Sequence, residues 1–299
     1  MSWDRLSPQV RSDLGSFQRY IAERSLARAQ HWVSSRPLIQ RVATSIAESL
    51  REPKPPTSLG DVAELLGIEV RCVPAMSARH FGKLAPAPGG FIATVYGQIR
   101  TGSDAQGEFI LPNLGPARPG WLHLNRRGRF TLAHEFGHAL FYNFMTPGTS
   151  PSRIIPRRNL SRNDVWREEG LCDAFARALL IPERTQSIVD KNFSFAVLIE
   201  SAKCFGVPGE ILMHRVMHDW MMWGSRMIFR IEVRSGEKHV RLFRGRSRPT
   251  DESGPTKGRI ASLITDCGDA EGVADLLRKT LRLTNRKVLV HRDVVWVDY

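Results

Sequence analysis

The stretch Phe130-Thr131-Leu132-Ala133-His134-Glu135-Phe136-Gly137-His138-Ala139-Leu140-Phe141 sets two histidines four residues apart within an apolar run. Phe130, Leu132, Ala133, Phe136, Leu140 and Phe141 supply one helical surface, and Asn125 and Gly128 stand near its start. A spacing of four puts both imidazoles on one helix face, where two ring nitrogens can meet one Zn²⁺. Glu135 follows His134 directly, close enough to act on a zinc-held water without being a ligand. Zinc lowers the pKa of such a water towards roughly 7, and a carboxylate can take its proton as it attacks a carbonyl. A chain of this length carries H-E-x-x-H by chance only about once in a hundred. Three polar groups interrupting an apolar helix are also costly unless they are satisfied together.

A catalytic zinc keeps three protein ligands and one open position. The next strong helical pattern, Asp164 to Leu180, offers Glu168, Glu169 and Asp173, with Leu171, Phe175, Leu179 and Cys172 marking its buried stripe. Glu169 and Asp173 share a face. Glu169 is the expected ligand, and Asp173 is expected to accept the remaining ring N–H of a ligating histidine. Helix-terminal charge is the rival explanation of these acids, and for Glu168 it is the preferred one.

Outward from these helices the pattern is α+β. The first 35 residues read as helical, with Leu14, Phe17, Ile21 and Trp32 as buried positions. Leu38 to Leu50 form a clearer helix, ended by Pro53, Pro55 and Pro56. A short helix near Asp61 to Leu66 closes at Gly67, and Ile68 to Val73 is a strand. Further strands are expected at 91–95, 109–111 and 121–124, and helices dominate from Phe130 to about Trp223. Strands return at 227–233, 239–243, 288–290 and 294–297, with a helix near 270–281 and an exposed loop at 246–257. The expected division is a helical extension at 1–35, a main domain at 36–223 with a small mixed sheet and both metal-binding helices, and a smaller α/β or β-rich domain at 224–299.

Composition narrows the classes. The 299 residues are 42% apolar, with no run long enough to span a bilayer and no secretory signal at the N-terminus. Four scattered cysteines speak against a disulfide framework and a thiolate zinc site, so the cytoplasm is the expected compartment, with no membrane partner. The formal charge of +13 favours acidic partners, nucleic acid included. It gathers in a run from Arg226 to Arg248 and in Arg153, Arg157, Arg158 and Arg162. A Gly-x-Ser-x-Gly elbow and a glycine-rich phosphate loop are both missing from the sequence.

Arg129 to Leu140 resembles the signature helix of the ImmA/IrrE metallopeptidases. Glu169 to Pro182 (EGLCDAFARALLIP) resembles that family's second signature, and Leu38 to Leu50 with Val62 to Val70 resembles its entry segment. The likeness covers about residues 36–220. It implies a zincin-like, gluzincin-type core with His134, His138 and Glu169 as zinc ligands and Glu135 as general base. It further implies a bacterial or phage cytoplasmic endopeptidase that cleaves a protein partner such as a helix-turn-helix repressor in a stress or mobile-element response. Three departures leave the partner open: the N-terminal extension, the basic segment Pro147 to Arg162, and the C-terminal region. Two other readings stand beside this one. One is a basic regulator that binds nucleic acid or a transcription factor without cleaving; the other is a toxin-system or general cytoplasmic peptidase. His214, His218, Tyr142 and His123 are the candidates for stabilising a transition-state oxyanion, and the edge strand expected to hold a substrate peptide is Trp121 to Leu124.

Overall fold

Leu59 to Leu66 shows how local sequence sets the elements of this chain in its computed structural model. The Ser58 side chain accepts the Asp61 N–H at the start of the helix, and Gly67 ends it at φ 62°, a left-handed conformation that glycine adopts without steric cost. The structure describes residues 6–24, 30–50, 55–74, 81–97, 108–109, 124–143, 149–189, 194–220, 222, 227–234, 237–244, 257–264, 267, 269–281, 288–291 and 294–298. The fold is α+β, and the chain divides into two compact units, residues 1–188 with 201–208, and residues 189–200 with 209–299.

In the first unit α1 (Pro8–Arg24) packs on α2 (Gln30–Glu48), and α3 is Leu59–Leu66. Val10, Leu14, Phe17 and Ile21 are the buried stripe of α1. The α2 helix begins ahead of Pro37, not at Leu38, and runs through residue 35. Proline there forfeits one backbone hydrogen bond, and the burial of Ile39, Val42 and Ile46 offsets that loss. Trp32 lies in α2, outside the residues whose side chains are described.

A three-stranded sheet follows, made of β1 (Ile68–Pro74), β2 (Phe81–Ala87) and β3 (Gly90–Gly97), in the order β1-β3-β2. The β1 and β3 strands are parallel, and β2 and β3 are antiparallel. Among the described residues β2 is therefore an edge strand. It was not foreseen, because Gly82 and Pro86 break the alternation that marks a strand. Short pairs follow: β4 (Glu108–Phe109) with β5 (Leu124–Asn125), and β6 (Tyr142–Asn143) with β7 (Ser152–Arg153). Residues 121–123 of the expected edge strand lie outside the described residues, and Leu124 pairs with Phe109.

Helix α4 (Arg126–Ala139) packs on β2 and β3 and on α5 (Arg162–Leu180), which in turn packs on α2. Asn125 caps α4 by accepting the Gly128 N–H at 2.9 Å. Arg129 anchors its first turn: the guanidinium is buried and donates to the Thr57 carbonyl at 2.7 Å and the Gly206 carbonyl at 3.2 Å. Burial lowers its pKa to about 10, so it remains charged at neutral pH.

The two helices meet at Gly137. A Cβ built there would lie 3.0 Å from the Cys172 Cα and 3.2 Å from its Cβ. The obstacle is backbone, so a side chain can be admitted only by parting the helices. Gly137→Ala is expected to lower stability by about 1–2 kcal/mol, overpacking outweighing the better helix propensity of alanine. A urea titration would show it as a lower midpoint at unchanged slope. An unchanged midpoint would mean the contact yields freely.

The second unit holds α6 in part (Phe195–Phe205), α7 (Gly209–His214), a π-helical turn (Arg215–Asp219), β8 (Met227–Arg234), β9 (Glu237–Arg244), α8 (Lys257–Leu263), α9 (Ala270–Leu281), β10 (Val288–His291) and β11 (Val294–Asp298). Its antiparallel sheet has the order β10-β11-β8-β9. Alternation along β8 sends Phe229, Ile231 and Val233 into a core with Ile260, Val273, Ala274 and Leu277 of α8 and α9. Arg230, between them, lies over the Trp296 ring at 5.9 Å and pairs with Glu232 at 2.9 Å. Helix α8 was not foreseen. Residues 246–256 of the expected loop lie outside the described residues.

Candidate metal centre

His134 and His138 face the same way from α4, ring centroids 5.0 Å apart and edge to face. Opposite them α5 is started by a capping box in which Ser161 and Asp164 satisfy each other's backbone groups. The close approach at Gly137 brings the acids of α5 within reach of both imidazoles. Glu169 Oε2 lies 3.1 Å from His134 Nε2, and Glu169 Oε1 lies 3.5 Å from His138 Nε2. Each remaining ring nitrogen meets its own carboxylate. His134 Nδ1 is 2.8 Å from Asp173 Oδ1, and His138 Nδ1 is 3.1 Å from Glu168 Oε1.

That spacing suits a tetrahedral ion. Ligand atoms held about 2.0–2.1 Å from zinc stand roughly 3.3 Å from one another, and the two Nε2-to-Glu169 distances bracket that value. The donor set is likewise that of a divalent metal: two Nε2 atoms directed at one carboxylate, each ring oriented by another. His134, His138 and Cys172 also form a group that could hold a metal ion, their ligand atoms all within 4.8 Å. The sequence disfavoured any thiolate contribution, yet the fold places this buried sulfur beside the histidines.

The electrostatics favour a cation. Burial works against protonation of His134, but hydrogen bonds to Asp173 and Glu169 outweigh it and raise its pKa to about 9. For His138 burial is again the opposing effect. The Cys172 sulfur, Glu168 and Glu169 prevail over it and raise the pKa. Burial pushes the Cys172 thiol up to about 12, so at neutral pH it carries no charge, and the two carboxylates hold the positive charge. Hydrogen bonds from His134 and His138 hold Glu169 well below the ordinary carboxylate range. Protons on the imidazoles thus occupy an environment that a metal ion could neutralise instead.

Glu135 stands within electrostatic range of both histidines and of Glu169. It is buried against β2, where a Cβ on Gly82 would fall 2.5 Å from its Cγ and Oε1, and the Leu84 backbone N–H donates to it. Burial raises its pKa, the histidines opposing.

Glu168 departs from its expected role. It lies well past the first turn of α5, beyond the reach of the helix terminus, and only 5% of its side chain is exposed. A signal was available in the sequence: Glu168 stands four residues before Cys172, on the stripe read as buried. Tyr142 packs edge-on against Phe91 at 5.2 Å, with Arg153 over its ring. His214 and His218 belong to the second unit, their rings 5.2 Å apart, whereas the cluster lies wholly in the first. His123 lies outside the described residues.

Fold and site together define an α+β protein with a candidate metal centre between two packed helices. No protein-family model matches the chain, and a search of curated proteins gives no match. Among solved structures, a Mycobacterium tuberculosis transcriptional regulator aligns over 81% of this chain at 13% identity and a TM-score of 0.38. The alignment spans 64% of that protein's length. Similarity at that level transfers neither fold nor role. Among the described residues no helix is long and apolar enough to cross a membrane.

Proposed function

We propose that this chain is a zinc-dependent endopeptidase of the ImmA/IrrE kind, with His134, His138 and Glu169 holding the metal and Glu135 as general base. The observation that carries the reading is the convergence of both Nε2 atoms on Glu169, each ring backed by a further carboxylate. When bound, zinc polarises a carbonyl and acidifies water. Glu135, its proton affinity raised by burial, takes the proton of the attacking water and returns it to the leaving amine. Strand β2, an edge strand that meets Glu135 at Gly82, offers backbone groups along which an extended peptide can align.

The partner is a cytoplasmic protein, a helix-turn-helix repressor being the one the sequence resemblance favours, and the charge of +13 suits an acidic surface. The test has two readouts. Purified protein should carry about one zinc per chain by elemental analysis. Zinc-loaded protein should generate new N-termini in a proteome-derived peptide library, read by mass spectrometry. Glu135→Gln should keep the zinc and lose about 10²–10⁴-fold in cleavage. Zinc without cleavage would replace the peptidase reading with that of a metal-bearing binding protein, and a wild type that takes up no zinc would remove both.

A further inference from the structure

The two histidines are oriented by carboxylates of unequal character. Asp173, behind His134, has a side chain 45% exposed to solvent. Glu168, behind His138, is 5% exposed and has both oxygens engaged: Oε1 faces His138 Nδ1, and Oε2 pairs with an Arg153 guanidinium nitrogen. Arg153 is itself 12% exposed and fixed from several directions. It stands in β7, in register with Tyr142 of β6. Its Nε donates to the Ile155 carbonyl at 3.2 Å, and its guanidinium lies 5.3 Å from the Tyr142 ring centroid. The Ile154 N–H donates to the Phe141 carbonyl at 2.9 Å, tying this segment to the end of the histidine helix.

Accordingly, and on the metal reading above, we infer that Arg153 and Glu168 form a positioning relay for His138, holding its Nδ1–H so that Nε2 is directed at the metal. Neither residue touches the ion. A buried carboxylate with only one partner would be free to rotate, and the imidazole with it. The Arg153 guanidinium, one nitrogen on Glu168 and its Nε on the Ile155 carbonyl, removes that freedom while neutralising a charge that burial alone would penalise. The basic segment between the two metal-binding helices thus contributes to metal affinity through a side chain 15 residues from its acid partner.

The test is zinc affinity of the full-length protein, measured by competition with a chromogenic chelator, beside urea unfolding of the metal-free form. Arg153→Met should weaken zinc by about 10–100-fold, the usual effect of removing a group that orients a ligand. Arg153→Lys should recover part of that loss, keeping the charge but not the second anchor on the Ile155 carbonyl. Glu168→Gln should weaken zinc comparably, and adding Arg153→Met to it should cost little more, because the arginine acts through the acid. With cobalt in place of zinc, the visible absorption of the Arg153→Met and Glu168→Gln proteins should change in the same direction. Unchanged affinity in Arg153→Met, or full additivity in the double variant, would overturn the relay and leave the three-ligand site intact. Should Arg153→Met fail to fold, Arg153→Lys and Glu168→Gln decide by the same criteria. A wild type that binds no zinc would instead remove the metal reading itself.

Discussion

Glu169→Ala is expected to weaken zinc by more than the about 10–100-fold that losing an orienting partner costs, while Cys172→Ala leaves affinity within a few-fold. Both residues belong to α5 and both lie beside the histidines, so the comparison decides which supplies the third ligand. Glu169 stands at 3.1 and 3.5 Å from the two Nε2 atoms, close to the edge of a zinc tetrahedron. The Cys172 sulfur is confined only to within 4.8 Å, and burial keeps its thiol protonated. Glu169 is also half-exposed, so its removal leaves no hole in the core, and a loss of zinc can be read as a loss of ligation. The reverse result, zinc kept by Glu169→Ala and lost by Cys172→Ala, would make this a His-His-Cys site and place the sulfur on the metal.

Gly82→Ala is the second large effect. The methyl would fall 2.5 Å from the Cγ and Oε1 of Glu135, a side chain and not a backbone, so the carboxylate must rotate out of its place against β2. The Gly82 backbone is not in the left-handed region; closeness to Glu135, the proposed general base, is what favours a glycine here. Turnover of a peptide identified with the wild type should fall by about 100-fold, the lower part of the range for a displaced acid–base group. Zinc content should hold, and stability should shift by no more than about 0.5 kcal/mol. Unchanged turnover would show that Glu135 is not the base in this position. Loss of zinc would show that β2 supports the ligands themselves.

The spacing of His134 and His138 was legible because an α-helix converts a difference of four into a shared face, whatever surrounds it. Glu169 and Asp173 were legible for the same reason. The strands β8 to β11 could be read from apolar alternation, which survives wherever one sheet face is buried. Strand β2 could not, since glycine and proline erase the alternation, and its place is set by pairing with β3 and contact with α4. The start of α2 is not legible at Pro37, because the burial of Ile39, Val42 and Ile46 overrides proline's local penalty.

The site divides along the same line. Sequence by itself determined the two helices, the histidine face and the acids able to answer it, because those relations are fixed by helical pitch within a few residues. Tertiary structure decided the rest: the approach of Gly137 to Cys172 that brings the helices together, the Gly82 contact that aims Glu135, and the burial of Glu168 beneath Arg153. These relations join residues 15 to 53 positions apart, on different elements. Their geometry follows from how close-packed surfaces fit, which no local period encodes.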